Sequence, residues 1–263
     1  MKKGERYENP YLTEVIVRIN FSTILALSGN NESAAEDFRK NIFEQYPIAL
    51  LKKNHEVNIG LNIQSDGFNQ INQRDKIIWE FKNKEDNKKI ELSDSYVLLT
   101  YTKEAYTNFR YLLQDIILIL DALKKYSPIN PHLLQLRYIN QLSGKSIEEL
   151  TKCINKPYFN EEIIDLNGKD TFVQNLSRLT ITEGKYLLNT QYGLFNPGYP
   201  NPNFEKNYIL DFDCSFYNIE SMNQINEELK EMNYFIWKQF QLAITDKLKK
   251  EMKGELDEWN NII

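Results

Sequence analysis

Two aspartates near the end of the chain have the spacing best suited to chemistry. Asp211 and Asp213 alternate with Leu210, Phe212 and Cys214, a pattern typical of a strand with one apolar face. Because side chains alternate along a strand, we expect both carboxylates on one face, about 7 Å apart. Two carboxylates at that spacing could hold a divalent cation or share acid–base work. The alternative is that they form the solvent-facing side of an amphipathic strand.

An arginine within an apolar strand is the second candidate for chemistry. Arg137 lies in the segment LLQLRYINQL, where it is the only charged residue. A strand arginine either pairs with a carboxylate at a sheet interface or reaches an anionic ligand. Asp211 and Asp213 are candidate partners if the two strands are neighbours. Tyr138 and Asn140, on the same strand as Arg137, are further candidate binding residues.

A proline-rich loop with aromatic neighbours is the third candidate. Residues 196–203 contain three prolines and one glycine, a composition that forbids regular strand pairing. Tyr192, Tyr199 and Phe204 surround this loop and could form a recognition surface, since aromatic side chains supply rigid contact area. The loop could equally pack on itself.

Residue types that commonly build catalytic centres are sparse in this chain. The two histidines, His55 and His132, lie near no recognised nucleophile motif, and the two cysteines, Cys153 and Cys214, form no CxxC pair. The zinc-protease, EF-hand and glycine-rich phosphate-binding motifs do not occur in the sequence. We therefore assign no catalytic residue and no metal ligand, and we expect no cofactor.

The chain has an ordinary globular composition and a mild negative charge. Hydrophobic residues make up 41% and charged residues 26%, and the formal net charge is −5. Binding to nucleic acid through its phosphates needs clustered lysines and arginines, so this charge disfavours it. The start of the chain is polar, and Gln114, Asp115 and Asp121 interrupt the most apolar helix. We therefore expect no signal peptide, no membrane association and a cytoplasmic location.

The elements that position these residues follow the same order in both halves of the chain. Periodicity predicts strand, helix, three strands and a long helix in residues 1–128, and the same order in residues 129–254. The predicted elements of the first half are 13–22, 32–46, 57–63, 77–81, 90–101 and 103–125, and those of the second are 132–142, 146–154, 172–182, 185–195, 208–216 and a helix of about thirty residues that starts near Met222. Residues 146–149 have the pattern of a capping box.

This order predicts an α+β fold of two β-α-β-β-β-α repeats, with antiparallel sheets that each pack against a long helix. Joining of the two sheets edge to edge into one curved sheet is an alternative arrangement. A generic α+β chain in which the matching order is a coincidence also remains open. Residues 255–263 form a C-terminal tail in which Trp259, Ile262 and Ile263 would be costly to expose without a contact.

Three segments carry a resemblance to a known family. They are the opening NPYLTEVIVRINFS, the mid-chain LRYIN and the late LDFD. Together they resemble the strands of a sporadically distributed family of bacterial and archaeal proteins of about this length, which carries no established activity. The resemblance covers residues 10–250 and implies a single full-length unit. The patchy distribution of that family implies an accessory role, such as a component of a mobile or defence locus.

From these features we predict a non-enzymatic binding or regulatory protein that acts through a protein partner or through self-association. Two alternatives remain. One is a nucleic-acid-binding protein that stacks bases on the aromatic residues of a concave sheet. The other is a metal-assisted hydrolase that uses Asp211 and Asp213, with Arg137 as an anion clamp.

Overall fold

The computed structural model describes residues 3–29, 31–59, 71–126, 128–159, 173–252 and 254–258. The strands in this part of the chain are β1 Lys3–Tyr7, β2 Leu12–Phe21, β3 Ile48–Ile59, β4 Ile71–Lys82, β5 Lys88–Leu92, β6 Tyr96–Thr102, β7 Pro131–Leu142, β8 Asn175–Glu183, β9 Tyr186–Phe195, β10 Asn207–Tyr217 and β11 Gly254–Glu258. The α-helices are α1 Glu32–Ile42, α2 Phe109–Leu123, α3 Ile147–Cys153, α4 Ile225–Ala243 and α5 Asp246–Met252.

Nine of these strands form one antiparallel sheet in the order β3-β4-β5-β6-β2-β7-β10-β9-β8. The predicted α+β class is therefore confirmed, and strands β2–β6 of the first half and β7–β10 of the second half belong to this one sheet and not to two separate sheets. β2 of the first half and β7 of the second half are neighbours at its centre. Outward from that centre the order is β6-β5-β4-β3 on one side and β10-β9-β8 on the other.

Helices α1, α2 and α4 contact the same face of the sheet. Phe38 of α1 packs on Phe81 of β4 with ring centroids 5.4 Å apart. Tyr101 of β6 donates a hydrogen bond to Asp115 of α2, and Phe240 of α4 contacts Phe212 of β10. Residues that are directly opposite in an antiparallel ladder point to the same side. The register of the ladders places these sheet residues on one face, which we call the helix-covered face.

Local side-chain signals set several helix ends. Asn31 and Asn108 cap α1 and α2 by accepting hydrogen bonds from the backbone N–H groups of Ala34 and Tyr111. The predicted capping box at α3 is confirmed, since Ser146 and Glu149 bond reciprocally. Each of these helices therefore starts where a side-chain oxygen satisfies backbone donors that have no partner within the helix.

The expected C-terminal helix of about thirty residues is wrong, because the helix is broken. Ile244 has extended backbone angles and pairs with Ile154 after α3. The N–H of Thr245 donates to the carbonyl of Cys153 at 2.9 Å. The apolar period continues across this break, so only the tertiary pairing with the end of α3 reveals it. α4 and α5 are consequently two separate helices.

A second, two-stranded sheet joins β1 to β11 near the two ends of the chain, and periodicity predicted neither strand. Trp259, Ile262 and Ile263 of the predicted tail lie outside the described residues. Among the described helices, none has the length and apolarity needed to cross a bilayer.

Candidate binding site on the open face of the sheet

The candidate site lies on the side of the sheet opposite the helix-covered face. Arg137 is directly opposite Ile16 on β2 and Asp213 on β10, so these three residues share a face. Alternation adds Arg18 and Asp211. We call this side, which carries Ile16, Arg18, Arg137, Asp211 and Asp213, the open face. Its β2 and β7 residues are half-buried, whereas those on the helix-covered face of the same strands are buried.

Arg137 and Asp211 form a two-point ion pair at the centre of the open face. Arg137 Nε donates to Asp211 Oδ1 at 2.8 Å, and Nη2 donates to Oδ2 at 2.5 Å. Planar guanidinium and carboxylate groups match in this geometry, which makes it among the stronger ion-pair arrangements. The hydrogen bonds to Asp211 raise the pKa of Arg137 above its usual value. β7 and β10 are thus neighbours, and the pairing considered from the sequence is present.

Asp213 stands beside this pair without sharing it. Its Oδ1 is shielded from water and has no hydrogen-bond partner among the described residues. Burial raises the pKa of Asp213, and the nearby Arg137 only partly offsets that effect. A buried carboxylate oxygen without a partner costs folding free energy, and buried polar groups in folded proteins are seldom left in this state. Asp213 therefore carries an unmet capacity to accept a hydrogen bond or a positive charge.

The charged groups immediately around Arg137 are negative. Glu14, Asp211 and Asp213 all act electrostatically on Arg137 and favour its charged form. The guanidinium of Arg137 therefore faces three carboxyl groups, and its Nε and Nη2 already donate hydrogen bonds to one of them, Asp211. This balance suits a partner group that is cationic or donates hydrogen bonds.

Arg18 occupies the matching position on β2 and was missed from the sequence. Val17 of β2 pairs directly with Leu136 of β7, and the next residue on each strand is an arginine. Arg18 lies over the ring of Tyr96, 4.3 Å from its centroid, and its Nε donates to Asn20 Oδ1 at 2.7 Å. The signal was an arginine in an apolar strand of each half, VRIN and LRYIN.

Tyr138 and Asn140 project to the helix-covered face. Tyr138 is buried, bonds to the hydroxyl of Tyr106 at 2.9 Å and donates to Asn233 Oδ1 of α4 at 2.8 Å. Asn140 is also buried and donates to the carbonyl of Leu210 at 3.2 Å. Since strand residues alternate in direction, these two cannot share a surface with Arg137. They connect the sheet to its helix layer and to the neighbouring strand.

The aromatic residues near the proline-rich loop are not brought together in one place. Tyr192 projects to the helix-covered face and packs edge-on against Tyr158, with ring centroids 5.3 Å apart. The loop packs on itself, because the Phe204 ring lies so close to Gly198 that a Cβ there would stand 2.2 Å from it. Tyr199 is 64% exposed and Phe204 is 50% exposed. The loop therefore presents two aromatic side chains on a self-packed turn.

The open face of the first half carries lysines and acids together. Glu80 is buried, and the amino groups of Lys52, Lys82 and Lys89 all lie within ion-pair distance of it. Lys89 also pairs with Glu91 at 2.9 Å, and Lys82 also pairs with Asp86 at 2.8 Å. Positive charges on this part of the sheet are thus matched by nearby carboxylates, which weakens their attraction for a phosphate backbone.

Metal and thiol chemistry find little support in the described residues. Both Asp211 oxygens accept from Arg137. No group of three or more His, Cys, Asp and Glu in the described parts of the chain is placed to hold a metal ion. Burial raises the pKa of Cys214 to about 12, which keeps it a thiol and not a reactive thiolate. His132 is exposed at the start of β7, and the side chain of His55 lies outside the described residues.

No protein-family model matches the chain, and neither does any curated protein. The chemistry of the open face must therefore be inferred from the chain's own residues.

Proposed function

We propose that this chain is a binding protein without catalytic activity, and that it docks a protein partner on the open face of its sheet. The observation that carries the proposal is Asp213, a carboxylate with a water-shielded, unpartnered oxygen beside the Arg137–Asp211 pair. Buried polar groups that destabilise a fold are found mainly at functional sites, where binding or chemistry requires them. A lysine or arginine of the partner would supply the missing counter-charge.

The layout of the sheet supports a broad contact. Helices α1, α2 and α4 pack on its other side, while Ile16, Arg18 and Arg137 are half-buried side by side at its centre. Half-buried apolar and arginine side chains around a polar centre resemble the composition of protein interfaces, in which arginine is enriched. The proposed partner therefore lies across β2 and β7 and meets β10 at Asp213, since Ile209, Asp211 and Ser215 on the same face of β10 are buried.

We further propose that residues 1–128 and 129–254 are repeats of one unit, followed by the tail 255–263. On both sides of β2 and β7 the strands follow outward in reverse chain order, and Arg18 and Arg137 stand at equivalent positions, which supports this. The first half departs from the predicted β-α-β-β-β-α order by one additional strand, because residues 88–102 form two strands, β5 and β6. The second unit has Asp211 where the first has Tyr96, so only one arginine holds a carboxylate. Such divergence at equivalent positions fits one half specialised for binding. A cytoplasmic, accessory role in a mobile or defence locus remains part of this proposal.

The two alternative functions have less support from the geometry. Nucleic-acid binding would need unpaired positive charge on the open face, whereas its lysines near Glu80 are paired. The hydrolase would need a free carboxylate pair, whereas Asp211 is held by Arg137 at both oxygens.

A matched pair of isoleucine variants tests the proposal. Ile16→Arg places a cation beside Arg137 on the open face, and Ile117→Arg places one on the exposed side of α2. Tagged wild-type protein and both variants are used for quantitative affinity capture from the native host, after urea unfolding shows equal stability.

We expect wild type and Ile117→Arg to capture a partner in equal amounts. Ile16→Arg should bind this partner at least about tenfold more weakly, which corresponds to about 1.4 kcal/mol of binding free energy. If the three proteins capture the same set in the same amounts, the open face is not the docking surface. A direct binding measurement with the purified partner then confirms the loss.

A further inference from the structure

One side of helix α4 gathers buried polar atoms that have no partner. In the described parts of the chain, five buried side-chain atoms make no hydrogen bond, and three of them belong to α4: Asn226 Oδ1, Asn233 Nδ2 and Trp237 Nε1. Spacings of seven and four residues place these three side chains on one side of the helix. We call this side, together with Lys230, the α4 flank. Buried polar groups are seldom left without partners in folded proteins, so their grouping on one surface indicates a site that a ligand completes.

Asn233 is held so that its amide nitrogen is the unused group. The residue is 5% exposed, and its Oδ1 accepts a hydrogen bond from the hydroxyl of Tyr138 at 2.8 Å. The Tyr138 hydroxyl is itself bonded to that of Tyr106 at 2.9 Å. Because this contact with the central strand β7 occupies the oxygen, Nδ2 is left with N–H donors that no acceptor among the described residues satisfies.

Trp237 adds a second donor one helical turn further along. The Cβ atoms of residues four positions apart in a helix lie about 5–6 Å from each other. Trp237 is half-buried, and its ring stacks on that of Tyr234 with centroids 5.7 Å apart. An indole nitrogen can only donate a hydrogen bond. Two neighbouring N–H groups on the α4 flank therefore both require an acceptor.

Lys230 gives the α4 flank a positive charge. It precedes Asn233 by three residues, and its amino group pairs with Glu227 at 2.8 Å. The side chain of Glu227 is 74% exposed, so water competes for this ion pair and the pair holds the ammonium group only weakly. An incoming anion can share that ammonium group. A carboxylate offers two acceptor oxygens and one negative charge, which matches two N–H donors and a lysine.

We propose that the α4 flank binds a small organic carboxylate, which accepts hydrogen bonds from Asn233 Nδ2 and Trp237 Nε1 and whose charge is balanced by Lys230. Asn226 Oδ1 lies two turns nearer the start of the helix, about 10 Å along its axis, where it can accept from an N–H group of a longer ligand. The inference is independent of the partner proposed for the open face, because α4 packs on the opposite face of the sheet.

Saturation-transfer NMR titrations with benzoate and phenylacetate test the site, and benzamide and phenylacetamide serve as their neutral counterparts. We expect the wild type to bind at least one of the two carboxylates. The matching amide should bind at least about tenfold more weakly, because it lacks the charge that Lys230 balances. A wild-type protein that binds neither carboxylate at millimolar concentration, or that binds the amides as tightly as the acids, overturns the proposal.

Two variants locate the binding on the α4 flank. Trp237→Phe removes the indole N–H but keeps an aromatic ring, and it should raise the dissociation constant at least about tenfold. Trp79→Phe, at a half-buried tryptophan of β4, is the matched control and should leave the constant unchanged. Asn233→Asp keeps an acceptor for Tyr138 but replaces the donor by a carboxylate oxygen, so it should abolish binding. Urea unfolding checks that each variant keeps the fold, and carboxylate binding by Trp237→Phe as tight as that of wild type contradicts the proposed site.

Discussion

Replacing Arg137 by methionine isolates what the ion pair on the open face contributes to stability. Methionine keeps most of the apolar stem of arginine but removes both hydrogen bonds to Asp211. Asp211 is only 6% exposed, so water cannot readily take the place of the guanidinium. The variant therefore leaves a carboxylate in a nearly closed site without a counter-charge.

The expected loss follows from the geometry of the pair. Removing one partner of a fully buried ion pair costs about 3–5 kcal/mol. The Arg137 side chain is 39% exposed, so solvent already screens part of the interaction. We reduce the value accordingly and expect a decrease of about 2 kcal/mol in the free energy of unfolding.

Urea unfolding at neutral pH measures this loss, and Arg18→Met is the matched control. Arg18 occupies the equivalent position but contacts Tyr96 and Asn20, so its loss should be about 1 kcal/mol or less. Adding Asp211→Asn to Arg137→Met should recover part of the stability, because a neutral amide needs no counter-charge. A loss below about 0.5 kcal/mol for Arg137→Met, or one equal to that of Arg18→Met, would refute this reasoning.

Two further variants probe buried polar groups. Tyr138→Phe removes the hydroxyl that joins Tyr106 to Asn233 inside the fold, and the free energy of unfolding in urea should fall by about 1–3 kcal/mol. The control Tyr217→Phe, at an exposed site, should change the free energy of unfolding by less than about 0.5 kcal/mol. Equal losses for the two variants would contradict this role of Tyr138. Asp213→Asn tests pH dependence. Burial raises the pKa of Asp213, so the folded state binds a proton at this carboxyl group more readily than the unfolded state does. This difference stabilises the folded wild type at low pH, and the stabilisation is lost as pH rises through the folded-state pKa. The stability of Asp213→Asn relative to wild type should therefore increase from acid to neutral pH in a series of urea titrations, and a difference that is flat or falls with pH would disprove it.

Strand alternation was enough to predict which aspartates share a face. Asp211 and Asp213 lie on the open face because their apolar neighbours must project into the helix layer. The ion pair of Asp211 with Arg137 was one of several possibilities, since the two residues are 74 positions apart and a strand pattern does not specify which strand lies beside it. The topology that brings β7 against β10 is a property of the whole sheet.

Other features depended on contacts that no local pattern contains. The break after α4 arises because Ile244 pairs with Ile154, although the helical period of apolar residues continues through it. Tyr138 and Asn140 are a different case, since they were predicted as binding residues because they adjoin Arg137 in sequence. The twofold alternation of a strand assigns both residues to the other face, so the sequence pattern by itself is sufficient to exclude them from the surface that carries Arg137.

The position of β2 and β7 at the middle of the sheet has a consequence for any attempt to divide the protein. A cut near residue 128 would release two fragments, and each would expose a new sheet edge, along the ten residues of β2 or the twelve residues of β7. Such edges bind each other or aggregate, so neither fragment is suited to life as a separate domain. If the two fragments are produced together in one cell, β2 of one fragment and β7 of the other can pair again, and we expect the protein to reassemble through this ladder.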